Sequence, residues 1–219
     1  MAALLSALTY GIFSLDHFSV GPFLLSRPLV LGGVVGFLFG NPAQGVALGL
    51  FAECLWVMVP PSGAGQWDVG LAVALAGVWA FEGTVGARVK GSELALAFIL
   101  SIPFAVVGRR VDHWMRRHTR VFAVRALAGV ERGVVGPLRY GLIFGAVLWG
   151  FKSLVIFFLA QSLGGGVFHG LLPLLAGPWE EGLSLAWRLW PALGLAALLH
   201  HFSSRLRRSG WSLVSGGPS

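Results

Sequence analysis

The chain has 219 residues, of which 56% are apolar and only 11% are charged, with a mean hydropathy of +0.78 and a formal net charge of +7. Soluble domains have about a quarter of their residues charged, so this composition excludes an ordinary soluble protein and predicts an integral membrane protein. The cations cluster in two short segments, 109–132 and 205–208, without any nucleic-acid-binding module, which excludes a nucleic-acid partner and fits cytoplasmic loops.

The first apolar segment spans residues 2–20, and Asp16 and His17 interrupt it near its end. It lacks the basic start of a cleaved signal peptide, so we expect a membrane helix that the mature protein keeps. An acid within a membrane segment usually faces a protein interior or a wet cavity, which makes Asp16 a candidate substrate residue. Alternatively, the helix ends near Leu15 and Asp16 caps the next segment at the interface. His17 is more typical of an interfacial or packed histidine than of a ligand.

Residues 27–70 are apolar and rich in glycine, yet they carry Arg27, Glu53 and Asp68. Gly32, Gly36 and Gly40 recur every four residues as a ridge of small residues that lets helices approach closely. Two apolar runs, 28–40 and 46–59, meet at Asn41-Pro42, and neither reaches the ~20 residues of a straight membrane span. Short, Gly/Pro-interrupted apolar segments are typical of the discontinuous helices that build transporter substrate sites. The sequence therefore predicts an all-α, polytopic membrane fold with broken or re-entrant helices and a substrate-handling core in this stretch.

Arg27 is predicted to lie at the start of a half-helix. Gly21-Pro22 breaks the preceding helix, Ser26 is a possible N-cap, and Pro28 suits a first helical turn. The positive end of a helix is unfavourable for a cation, so we expect a carboxylate, a lipid phosphate or a partner subunit to compensate Arg27. The alternative is an interfacial arginine that extends to the headgroups.

Glu53 and Asp68 are the two further candidate substrate residues. Glu53 lies far from both ends of its apolar run, and a carboxylate there is a functional-site hypothesis by default. The alternative is a buried glutamate bonded to neighbouring helices. Asp68 follows a Pro/Gly-rich break at 60–67 and precedes the apolar run 69–81, so its spacing is equally consistent with a helix N-cap.

The second half of the chain predicts spans rather than sites. Apolar residues and cations alternate over 109–132, which indicates an amphipathic helix at the cytoplasmic interface. Residues 138–161, which include Lys152, and 183–199 are two full crossings that keep both basic clusters on one side. The glycine run at 164–166 is expected to be flexible. We predict one membrane domain, 1–205, made of a core (1–108), the basic segment (109–132) and C-terminal spans (138–201), followed by a polar tail, 206–219.

Catalytic motifs are absent from the sequence. It contains no Gly-rich phosphate loop, no zinc-spaced Cys/His set and no nucleophile elbow, and its only cysteine, Cys54, lies in an apolar run. We expect no cofactor, no metal and no catalytic residue. If phosphoryl transfer is involved, the transferring groups must come from another protein.

Four blocks of the sequence resemble the IIC component of the mannose/fructose/sorbose-type sugar phosphotransferase system. SLDHFSVGPFLLSRPLVLGGVVGFLFGN is similar to the family's Leu-Asp, Arg-Pro-Leu-Val and glycine-rich run, and LFAECLWVMVPPSGAGQWDVGLA to its next block, where a glutamate precedes a Gly-rich break and an Asp-Val. SIPFAVVGRRVDHWMRRH and WPALGLAALLH are similar to later, less specific blocks. Three departures stand out: Pro22 for glutamine, Asn41 for aspartate, and Gln66-Trp67 for Pro-Pro.

The resemblance implies a permease subunit in a bacterial cytoplasmic (inner) membrane. It would pair with a IID membrane protein, while cytoplasmic IIA and IIB proteins relay phosphate from phosphoenolpyruvate through histidines to the incoming sugar. Glu53 and Asp68 then become substrate-binding residues, with Asp16 and Arg27 as weaker candidates, in a polar pocket at the IIC–IID interface. Two alternatives remain open: an ion-coupled secondary transporter using Asp16, Glu53 or Asp68, and a non-transporting membrane scaffold or sensor.

Overall fold

The computed structural model describes residues 1–17, 25–56, 68–84, 86–131 and 136–208, and this part of the chain is helical without strands. Some features named in the sequence lie outside the described residues. These are the predicted break at Gly21-Pro22, the departures from the family pattern at Pro22 and Gln66-Trp67, Arg132, and the end of the polar tail. Short turns at Leu15–His17 and Leu172–Leu174 follow the first and sixth helices. The helices are α1 (Ala2–Ser14), α2 (Pro28–Leu38), α3 (Pro42–Trp56), α4 (Val69–Phe81), α5 (Gly91–Glu131), α6 (Gly136–Leu171) and α7 (Pro178–Arg208).

Helices of two lengths make up the described part of the chain, as the predicted broken-helix fold requires. Three segments, in α5, α6 and α7, are long and apolar enough to cross a membrane. The apolar helices α1 to α4 have 11 to 15 residues. At 1.5 Å per residue, α2 is about 17 Å long, roughly half of the ~30 Å hydrocarbon thickness. The short helices must therefore stack end to end or pack inside the protein.

Helices α2 and α3 form a hairpin whose backbones are in direct contact. A Cβ atom added at Gly36 would lie 2.7 Å from both Asn41 O and Gly45 Cα, and one at Gly49 would lie 2.7 Å from Leu29 Cα. Small residues let membrane helices approach this closely. The turn between the helices uses Gly40 with φ of 75°, and Asn41 N–H donates to Gly36 O at 2.7 Å. The glycine ridge predicted from the sequence thus holds this hairpin together.

Helix α4 forms the centre of the bundle. Every residue of Val69–Phe81 is buried, and the helix is contacted by α1, α2, α3, α5 and α6. A helix that is apolar on all sides is stable only where it is surrounded. Since protein surrounds it, its 13 residues need not match the bilayer thickness.

Three local expectations from the sequence differ from the structure. Arg27, rather than Ser26, occupies the N-cap position of α2, without a side-chain cap hydrogen bond, while Pro28 takes the first turn as predicted. The predicted boundary between the core and the basic segment, at residues 108–109, falls inside the continuous helix α5. The glycines 164–166 are helical rather than flexible. Close packing explains why residue 164 is a glycine, since a Cβ there would lie 2.8 Å from Phe104 Cε2 and against the Trp79 ring.

One end of the bundle is closed by polar contacts between loops and helices. Gln44 on α3 makes two hydrogen bonds to the backbone of Val89, at 2.7 and 2.9 Å. Asn41 Nδ2 donates to Thr84 O at 3.3 Å. Lys90 Nζ pairs with Glu180 at 2.8 Å, and this bond raises the pKa of the Lys90 ammonium above its ordinary value. We call this end, where the α2–α3 turn meets the start of α5, the closed end.

Candidate substrate site

The four predicted site residues lie around the start of α2. Asp16 follows α1, Arg27 precedes α2, Glu53 is in the last turn of α3, and Asp68 precedes α4. Gly70, in the first turn of α4, approaches this point, since a Cβ there would lie 3.3 Å from Ser26 O. Asn41 is at the opposite end of α3, twelve residues or about 18 Å from Glu53. Asn41, which stands where the family has an aspartate, therefore lies at the closed end and not beside Glu53.

Arg27 and Glu53 form a partly exposed ion pair. Arg27 Nη1 lies 3.5 Å from Glu53 Oε2, and their side chains are 48% and 27% exposed. Glu53 thus supplies a carboxylate of the kind expected to compensate Arg27 at the positive end of α2. Because this contact is long and both groups are partly exposed, the Glu53 carboxylate can still accept, and the guanidinium can still donate, further hydrogen bonds.

Asp16 is a buried carboxylate that binds the backbone. Its Oδ2 atom accepts from the N–H groups of Leu25 and Ser26, at 2.8 and 3.4 Å, and the residue is 9% exposed. These contacts satisfy amides next to the start of α2, where backbone donors lack helical partners. This geometry agrees with the capping alternative left open by the sequence and makes Asp16 a support for the segment that carries Arg27.

Asp68 uses both carboxylate oxygens within the protein. Oδ1 accepts from Leu71 N–H at 3.0 Å, as in a helix N-cap, and Oδ2 accepts from the Tyr10 hydroxyl. Its own N–H donates to Ala105 O at 3.4 Å, beside the middle of α5. The N-cap interpretation of Asp68 is therefore correct, and any contact with a substrate would use its remaining acceptor capacity.

A second polar cluster joins α1, α5 and α6 next to Asp68. Lys152 Nζ donates to Asp112 and lies 4.1 Å from the centre of the Trp149 ring. Ser14 and Ser153, both buried, are 2.8 Å apart. From the sequence, Lys152 has no assigned role, and Tyr10 and Asp112 are not among the predicted site residues. A lysine inside an apolar span and an acid inside an otherwise basic helix could have indicated this pair, because charged side chains within a membrane usually pair with one another.

The chemistry available at the start of α2 is that of polar recognition. A partly exposed carboxylate beside a guanidinium can accept from, and donate to, hydroxyl groups. Within the described residues, no group of three or more His, Cys, Asp or Glu side chains could hold a metal ion. The arrangement is suited to holding a hydroxyl-rich solute.

Comparisons with known proteins identify the family. The family model described as the PTS system sorbose-specific IIC component matches residues 1–206. No curated protein matches this chain. A solved "Structure of membrane protein" is similar with a TM-score of 0.69 at 17% identity, covering 92% of this chain and 79% of that one. The "CryoEM Structure of Mannose Transporter ManYZ and Microcin E492 (MceA) complex" gives a TM-score of 0.62 at 19% identity, with the same coverage.

The two solved structures confirm the predicted polytopic helical membrane fold, and the family match extends over nearly the whole chain. The resemblance inferred from the four sequence blocks is thereby confirmed. The chain belongs to the sorbose-specific IIC component family and is a multi-pass membrane permease subunit of a mannose-type sugar phosphotransferase system.

Proposed function

We propose that this chain carries a hexose or a similar sugar across the bacterial inner membrane, coupled to phosphorylation of that sugar by a IIB protein. The observation that carries the substrate assignment is the Arg27–Glu53 pair at the meeting point of short helices. Half-helix ends near the bilayer midplane are where transporters bind solutes. Glu53 accepts hydrogen bonds from sugar hydroxyls, and Arg27 donates to a sugar oxygen.

The remaining candidates have supporting roles in this proposal. Asp16 fixes the backbone before α2, and Asp68 fixes the start of α4 beside Tyr10. Asp16 and Asp68 each accept two hydrogen bonds from groups of this chain, whereas Glu53 has, among the described residues, one long contact with Arg27. We therefore rank Glu53 and Arg27 first as sugar-binding residues, with Asp68 and Asp16 behind them.

Partners supply the chemistry that this chain lacks. We propose a IID membrane subunit that completes the sugar pocket, and cytoplasmic IIA and IIB proteins whose histidines carry the phosphoryl group. The sugar hydroxyl oxygen bonds to the phosphorus, the bond between the phosphorus and the histidine nitrogen breaks, and the hydroxyl proton passes to that nitrogen, which leaves a neutral imidazole and a sugar phosphate. A mannose transporter complex among the structural neighbours supports a hetero-oligomeric membrane assembly.

Uptake by vesicles tests this proposal. Vesicles containing this chain and its IID partner would receive a panel of labelled hexoses, with and without phosphorylated IIB. The expected result is sugar phosphate inside the vesicles only when phosphorylated IIB is present. Free solute accumulating on a proton or sodium gradient would instead establish a secondary transporter. An assembled complex that transports nothing would establish a scaffold or sensor.

A further inference from the structure

The second half of α5 and the first half of α6 form an arm that is too long for the bilayer alone. Helix α5 has 41 residues and is about 62 Å long, twice the hydrocarbon thickness of ~30 Å. The two helices run antiparallel, as shown by the pairs Asp112–Lys152 and Phe122–Phe144, whose rings are 5.2 Å apart. We call residues 109–131 with residues 136–152 the arm.

The α6 side of the arm is apolar and exposed. The exposed side chains recur along one stripe of the helix and are 54 to 78% accessible: Tyr140, Ile143, Val147 and Phe151. Such a stripe on a membrane protein is covered by acyl chains or by another apolar surface. The arm therefore remains at membrane level on this side and does not project freely into water.

The α5 side of the arm carries an exposed cationic groove at the same level. Arg117, Arg120 and Arg125 line a shallow depression of about 370 Å³ together with Val121 and Val124. Their spacing of 0, 3, 4, 7 and 8 residues places them on one face of the helix. The two valines are 53% and 57% exposed. Cations and apolar side chains alternate along this face.

The three arginines have no described partner inside the chain. The ion pairs of the described residues involve Arg27, Lys90 and Lys152, and none reaches Arg117, Arg120 or Arg125. Asp112, an acid on the same helix, is already paired with Lys152. Guanidinium groups in this position favour phosphate, to which they donate two parallel hydrogen bonds.

We propose that this groove binds the headgroup of an anionic phospholipid. The phosphate is held by Arg117, Arg120 and Arg125, while Val121 and Val124 contact the glycerol and the first acyl carbons. A soluble phosphate would use the arginines but leave the valines in water, whereas a lipid uses both. The neighbouring apolar stripe on α6 supplies the acyl environment that such a lipid needs.

The test measures binding of fluorescent phosphatidylglycerol to the purified full chain in neutral detergent, with phosphatidylcholine as the zwitterionic reference. The double variant R117Q/R120Q is compared with R88Q/R188Q, which removes two arginines outside the arm. With ~1 kcal/mol for each basic residue near an anionic surface, R117Q/R120Q should weaken phosphatidylglycerol binding about 30-fold, and R88Q/R188Q should leave it unchanged. Binding by the unaltered chain should also weaken as salt increases.

Several outcomes would overturn the proposal. Equal affinity for phosphatidylcholine, or an equal loss in both double variants, would show that the groove does not select an anionic lipid. Full displacement of the lipid by millimolar glycerol phosphate would assign the groove to a soluble phosphate. Loss of lipid binding once a IID subunit is co-purified would assign it to a protein partner. Helix content and elution volume of each variant establish that it is folded, and the salt series needs no variant.

Discussion

Lys152 on α6 donates a hydrogen bond to Asp112 on α5 inside the helix bundle, and their side chains are only 7% and 23% exposed. The ammonium also lies over the Trp149 ring, and the Arg116 guanidinium is 5.2 Å from the centre of the same ring. Taking charges out of water is costly unless they are paired. The Lys152–Asp112 ion pair therefore sets the register between the two long helices beside Asp68.

Removing one member of this pair should destabilise the protein strongly. We expect Lys152→Met or Asp112→Asn to cost about 3–5 kcal/mol, because each leaves a buried charge without its partner. The combined variant should be more stable than either single variant. Thermal unfolding in detergent measures the effect, with Lys90→Met, which breaks an exposed pair, as the mild control. Equal losses for Lys90→Met and Lys152→Met would contradict the assigned role.

Glu53→Gln should abolish phosphorylation-coupled uptake while leaving membrane insertion and assembly intact. The amide keeps the size of the side chain but lacks the charge that strengthens hydrogen bonds from sugar hydroxyls. Since Glu53 is partly exposed, the stability of the protein should change by less than about 0.5 kcal/mol. Sugar phosphate formed in vesicles is the measurement. Glu82→Gln, an exposed change near the closed end, is the control and should retain uptake. Uptake at the unaltered rate in Glu53→Gln would refute the site assignment.

Tyr10→Phe should weaken the attachment of α1 to α4. The change removes the hydroxyl that donates to Asp68 Oδ2, and hydrogen bonds to charged acceptors contribute about 1.5–3 kcal/mol. Thermal unfolding in detergent should show this loss. Tyr140→Phe alters a side chain that is 78% exposed and should change little. Identical melting temperatures for the two variants would mean that the Tyr10–Asp68 bond does not stabilise the fold.

Gly36→Ala should disrupt the α2–α3 hairpin. The added methyl group would lie 2.7 Å from the backbone of Asn41 and Gly45, so the helices must move apart at a cost of about 1–3 kcal/mol or more. Gly166→Ala is the matched control, since that glycine is also helical and a Cβ there meets nothing within 4 Å. In Gly166→Ala the gain in helix propensity should stabilise the protein by about 0.5–1 kcal/mol. The yield of monodisperse protein and its melting temperature report both effects.

The membrane fold and its short helices could be predicted because they depend on local composition. Apolar runs shorter than a bilayer, interrupted by glycine and proline, predicted the short helices. The spacing of Gly32 and Gly36 predicted close helix packing, whereas Gly40, the third glycine of the same ridge, forms the turn after α2. Pro28 correctly marked the first turn of α2. These features are properties of neighbouring residues, and backbone hydrogen bonding in a membrane leaves helices as the solution.

The helix caps were only partly predictable from the sequence. Spacing alone left Asp68 as either a cap or a site residue, and the hydrogen bond from Leu71 N–H shows the cap. Whether Asp68 also contacts a substrate stays a prediction, as do the substrate roles of Glu53, Arg27 and Asp16. The prediction of flexibility for the glycines 164–166 was wrong, because all three lie within α6 and the Trp79 ring packs against Gly164 and Gly165.

By itself, the sequence determined that the chain is a helical membrane protein of this permease family and that its charges inside apolar segments are few. Only the tertiary structure decided which of those charges meet. Lys152 and Asp112 are 40 residues apart and Tyr10 and Asp68 are 58 apart, so no local pattern links either pair. Their pairing follows from helix packing, which brings distant residues to one depth, where low solvent exposure makes each charge depend on its partner.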